Sequence, residues 1–106
     1  MDNNILWVDD IRNPPDDLIC DIARTYQEAV DLLTQNNYNT IYLDHDLGDF
    51  TENGIEFTGY KLVLWIVQRK MDGHLVPTRY EFLTSNPVGR RNMQAVIHRW
   101  MLDERY

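Results

Sequence analysis

Three short strand-like runs, each cut off abruptly by polar side chains, constrain this chain more than any other feature. Ile5–Val8 (ILWV) stops at Asp9 and Asp10, Asn39–Leu43 (NTIYL) at Asp44–His45–Asp46, and Arg79–Leu83 (RYEFL) at Thr84–Ser85–Asn86. The continuous apolar run Ile5–Val8 suits a strand covered on both faces, as in parallel sheets. Leu18–Ala23 reads as a weaker strand. Helical patterns lie between these runs. Thr25 precedes Glu28 at capping-box spacing, and Ala29, Val30, Leu32 and Leu33 form one apolar face as far as about Asn36. Thr58 caps a second helix carrying Tyr60, Leu62, Val63, Trp65, Ile66 and Val67, which Gly73 and Pro77 end. A last helix is expected from about Gly89 to Asp103, burying Met93, Val96, Ile97, Trp100 and Met101. Gly48–Gly54 reads as a loop, and Pro14–Pro15 forbid a helix directly after the first strand.

This alternation predicts an α/β fold: a compact parallel sheet of about four strands flanked by helices. Right-handed crossovers would place those helices on both faces. A chain of 106 residues suits a single domain spanning 1–106. Its net charge of −7 argues against a duplex-DNA surface, while leaving room for a local anion site. With Cys20 alone, no intramolecular disulfide forms, which agrees with a reducing compartment. The start, MDNN, lacks a basic leader, and the longest apolar run, Leu62–Val67, is too short to span a bilayer. These features lead us to expect a cytoplasmic domain without a membrane partner.

In a parallel sheet the polar ends of the strands share one edge, where such folds bind ligands. Asp9, Asp10, Asp44 and Asp46 would then repel one another unless a cation intervened. Mg²⁺ or Mn²⁺ fits this demand, because a hard divalent ion takes a few carboxylate oxygens together with water and phosphate. Asp9 and Asp10 point apart on a straight strand, so both reach such an ion only where the chain curls. Asp46 reads equally as a metal-site residue or a loop cap. His45, on the opposite side of the strand from Asp44, reads as structural, and His74 and His98 as surface residues. Ordinary turn-forming remains the alternative for any one of these acids.

The stretch TSNPVGRRNM reads as a phosphate seat. Thr84 and Asn86 offer side-chain donors, Gly89 permits close approach, and Arg90, Arg91 and Asn92 occupy the first turn of a helix whose N–H groups attract anions. The competing reading is plain capping by Ser85 or Asn86 with Pro87 at the first helical position. Arg12 is close enough to Asp9 in sequence to fold over the same pocket.

The segments ILWVDD, YNTIYLDHD, TGYKLVLWI and EFLTSN follow the order seen in response-regulator receiver domains. More closely, DDIRNPP, LDHDLGD, TGY and NPVGRRNM resemble the cyclic-phosphate processing receiver-like family. The resemblance covers nearly the whole chain. It implies that Asp9, Asp10 and Asp44 form the acidic pocket and that Thr84 supplies the phosphate-contacting hydroxyl. Asp46, Arg12, Asn86, Gly89 and Asn92 match features peculiar to that group. Leu83 stands where related sequences often carry a histidine. Ordinary receivers have a fifth strand ending in a phosphate-binding lysine, which is not expected here: Lys61 and Lys70 both lie in the preceding helix.

The function this implies is metal-dependent phosphoester hydrolysis of a cyclic phosphate, on an RNA 2′,3′-cyclic end or a cyclic nucleotide. In it Asp44, Asp46 and Arg12 act chemically: Asp46 orients a water, or Asp44 attacks directly. Thr84, Asn86, Gly89, Arg90 and Asn92 would bind phosphate. Two alternatives stay open: a non-catalytic module that captures a nucleotide phosphate or a protein partner, and a degenerate receiver that accepts phosphate on Asp44.

Overall fold

The computed structural model describes residues 4–50, 54 and 56–101. Its main sheet contains β1 (Ile5–Val8), β2 (Asp21–Ala23), β3 (Thr40–Leu43) and β6 (Arg79–Phe82), in the order β2-β1-β3-β6. Every pairing in it is parallel, with Leu6 opposite Asp21 and Ile41, and Ile41 opposite Tyr80. The expected strands are therefore present, the second trimmed to three residues. No fifth parallel strand occurs among the described residues.

Three helices complete the layer: α1 (Tyr26–Gln35), α2 (Gly59–Met71) and α3 (Pro87–Met101). The Thr25 side chain accepts from the Glu28 N–H, and Thr58 accepts from Lys61, so both anticipated caps form. Helix α2 ends where Gly73 donates back to the Lys70 carbonyl. Helix α3 starts at Pro87, two residues before Gly89. Its expected end at Asp103 lies outside the described residues. Met93 and Ile97 are buried as anticipated, but Trp100 is exposed.

The helices do not divide between the two faces of the sheet. Leu6, Val8, Ala23, Ile41 and Leu43 join Ala29 and Leu33 of α1, Leu62, Val63, Ile66 and Val67 of α2, and Met93 and Ile97 of α3 in one apolar cluster. These strand positions alternate with Trp7, Ile22 and Tyr42, which point to the other face and lie outside that cluster. The physical reason is the direction of travel. The steps β2→β3 and β3→β6 run the same way across the sheet, so right-handed connections deliver α1 and α2 to the same side. Only β1→β2 runs back, and there the proline loop replaces a helix. That loop lies against the second face, where Pro15, Asp17 and Leu18 line a cavity with Trp7 and Tyr42.

A second correction concerns the segment expected to be a loop, Gly48–Gly54. Strand β4 (Asp46–Phe50) pairs antiparallel with β5 (Glu56–Thr58), with an irregularity between Asp46 and Asp49. Residues 51–53 of the expected loop lie outside the described residues. Leu47 buries itself in the core, and Phe57 stacks on Tyr26 at 4.6 Å between ring centroids, tying the ribbon to α1.

Candidate functional site

Each polar strand end continues the sheet's hydrogen-bond ladder by one step before leaving it. The Asp9 N–H donates to the Ala23 carbonyl, Asp44 to Val8, and Leu83 to Leu43. This fixes the three ends side by side, beside the point where strand order reverses between β1 and β3, the usual crevice of such sheets.

The curl required to bring Asp9 and Asp10 together is built by Asp9 itself. Its Oδ1 accepts the backbone N–H groups of Ile11 and Arg12, both at 2.9 Å. The chain bends at Asp10 and Ile11. One carboxylate oxygen from each of Asp9, Asp10 and Asp44 consequently lies within 4.8 Å of the others. Asp9 is 1 % exposed and Asp44 9 %. Burial pushes the Asp44 carboxyl above its ordinary range. The His45 N–H pulls it back, Asp9 and Asp10 add repulsion that raises it, and Arg12 opposes them. The donor set is all oxygen, crowded and under-neutralised, which fits a hard divalent cation.

Arg12 lies against this cluster. Its Nη1 is 3.4 Å from Asp9 Oδ2 and also donates to the Leu83 carbonyl, so the guanidinium spans from the end of β1 to the end of β6. Asp46 lies apart from the cluster. It is exposed, begins β4 and contacts His45 Nδ1 at 3.0 Å. The site therefore brings together Asp9, Asp10, Asp44 and Arg12, and leaves Asp46 paired with histidine at its margin.

The Asp44–His45 stretch explains two glycines. The Gly59 N–H donates to the His45 carbonyl at 2.7 Å, and a Cβ on Gly59 would fall 2.1 Å from the Asp44 carbonyl oxygen. A Cβ on Gly89 would fall 2.6 Å from the His45 ring. Gly89 is thus required by the imidazole packed on it.

The start of α3 is capped by its own chain. Asn86 Oδ1 accepts the Gly89 N–H at 3.0 Å, and the Asn86 carbonyl accepts the Arg90 N–H. Arg90 Nη2 donates to the carbonyls of Phe82 and Thr84, latching the end of β6. These groups are engaged within the protein. Arg91 lines a different cavity, between β6 and α3, and Asn92 is exposed. Thr84 is buried, and its Oγ1 accepts the Asn86 N–H, which leaves the hydroxyl proton for another acceptor.

Arg24 is a residue that sequence reasoning missed. Its Nη1 donates to the carbonyls of Asp9 and Arg12, and its Nη2 donates to Asn13 Oδ1, so it holds the whole Asp9–Asn13 turn. The available signal was positional: Ala23 is opposite Val8, so the residue after β2 stands beside the residue after β1.

A family model described as the cyclic-phosphate processing receiver domain matches residues 4–99. Among solved structures, the chain is similar to a fusion of the yeast Spc42 trimeric coiled coil to another structure. The two are 20% identical with a TM-score of 0.61, over 91% of this chain and 63% of that one. Similarity at that identity establishes a shared fold. No curated protein matches the chain.

Proposed function

This chain belongs to the cyclic-phosphate processing receiver domain family, and we propose that it binds a divalent cation on Asp9, Asp10 and Asp44 and hydrolyses a cyclic phosphate there. The observation that carries this reading is the convergence of the three carboxylates within 4.8 Å. When bound, Mg²⁺ or Mn²⁺ would neutralise the substrate phosphate and acidify a coordinated water.

The reaction adds water across one ring P–O bond. The oxygen of water bonds to phosphorus, the ring P–O bond breaks, and the alcohol oxygen leaves with a proton. Arg12 faces the negative charge that develops on the phosphoryl oxygens. The Thr84 hydroxyl donates a hydrogen bond to one of them. Asp44 is the carboxylate we assign to take up the proton of the attacking water. His45, oriented by Asp46 at 3.0 Å, is the group we assign to protonate the leaving oxygen. It takes over a role that Leu83 cannot perform.

The test is turnover of 2′,3′-cyclic mononucleotides and 3′,5′-cyclic nucleotides with Mg²⁺ or Mn²⁺, followed by ³¹P NMR. A monoester product supports the proposal. Its loss in Asp44→Asn and in Arg12→Ala, by at least about 100-fold, ties turnover to this site. Intact substrate throughout, with divalent-dependent binding, would instead establish a capture module. The capped start of α3 and the latched Arg90 favour that second reading, since both withdraw donors from the phosphate. A mass increase of one phosphoryl group after acetyl phosphate treatment would identify a phosphoacceptor.

A further inference from the structure

The sheet face that carries no helix holds a cavity of about 430 Å³, lined by Trp7, Pro15, Asp17, Leu18, Tyr42 and Leu83. Its floor is aromatic. Trp7 and Tyr42, opposite one another on β1 and β3, stack with centroids 5.3 Å apart and planes at 29°. Trp7 is pinned by donating its indole N–H to the Arg12 carbonyl at 3.0 Å. The roof is the proline loop, turned where the Leu18 N–H donates to the Pro15 carbonyl.

This cavity adjoins the acidic site by strand geometry. Trp7 precedes Asp9 by two residues and Tyr42 precedes Asp44 by two, so rings and carboxylates share a face about 6.6 Å apart along the strands. Leu83 follows Phe82, the partner of Leu43, and so stands beside Asp44. Its side chain lines the cavity while its carbonyl accepts from Arg12. The same strand ends therefore present a flat apolar slot and, one ribose length away, the acidic cluster with its arginine.

We infer that this cavity is a nucleobase subsite, so that the ligand of the neighbouring acidic site is a nucleoside cyclic phosphate whose base stacks on Tyr42. The inference rests on the function proposed above. Paired aromatic rings accept any base through its π-face. Asp17, the charged group in the lining, accepts from an amino or imino edge and repels phosphate, which sets the ligand base-inward. Leu83 acquires a role here: it is an apolar wall for the base.

The experiment uses the full chain with Trp65→Phe and Trp100→Phe, leaving Trp7 as the indole reporter. It is titrated in Mg²⁺ with 2′,3′-cyclic AMP, 2′,3′-cyclic GMP and a base-free ribose cyclic phosphate. The expected result is saturable change in Trp7 emission with the nucleotides and binding of the base-free analogue weaker by roughly ten-fold or more. Tyr42→Ala and the slot-filling Leu83→Met should each erase that preference while Mg²⁺ binding persists. Equal affinity for nucleotide and base-free phosphate overturns the base subsite and leaves the acidic site standing. Binding of neither in Mg²⁺ overturns both. Emission changes driven equally by an unrelated apolar dye, with no nucleotide preference, also overturn it.

Discussion

Asp44 concentrates the physical tension of the molecule in one side chain. Buried beside Asp9 and Asp10, its carboxyl holds a proton above the ordinary carboxylate range. Without divalent ions, the folded chain keeps that proton after the unfolded chain has released it. Stability therefore falls as pH rises from the ordinary carboxylate value through the raised one, and the penalty is complete above it. We predict that Asp44→Asn raises the thermal midpoint at pH 7 in chelator, has little effect below the ordinary carboxylate pKa, and abolishes stabilisation by Mg²⁺. Thermal melts across pH, with and without the ion, check all three. Arg24→Ala should cost about 1–3 kcal/mol in denaturant unfolding, because carbonyls of the Asp9–Asn13 turn lose a charged donor. It should also weaken divalent binding, measured by calorimetry. The carboxylates were legible in the sequence because each ends an apolar run. Arg24 was not, since its principal partners are main-chain carbonyls, which any sequence supplies.

At the scale of the element, the capping residues of α1 and α2 were readable because a Thr three residues ahead of a donor N–H satisfies it locally. The start of α3 was ambiguous for the same reason. Asn86 and a bound phosphate compete for the same N–H groups, and here Asn86 takes the Gly89 N–H. The β4–β5 ribbon was not readable: DLGDF shows no clean alternation, and its pairing is irregular between Asp46 and Asp49. Gly89→Ala drives a methyl into the His45 ring, and we expect a loss of about 1–3 kcal/mol, read from denaturant melts. Along α3, Met93→Ala should cost about 2–5 kcal/mol and Trp100→Ser less than about 0.5 kcal/mol, because only Met93 is buried.

At the scale of the whole molecule, one missing helix reorganises the sheet. With α1, α2 and α3 on one face, the opposite face depends on the loop after β1, held by Trp7, Arg24 and Asp9. Replacing Pro14 and Pro15 by Gly should loosen this cover, raising backbone amide exchange over residues 11–20 while α2 stays protected. Hydrogen exchange read by mass spectrometry distinguishes the two regions. The four strands of the main sheet, their parallel direction and the meeting of Asp9 with Asp44 follow from sequence, because the polar end of each short strand-like run is a local pattern. Which face stays bare, which donors are already satisfied within the protein, and where Asp46 falls were decided only in three dimensions. Those outcomes depend on competition among groups distant in the chain, and a one-dimensional pattern does not rank such competitors.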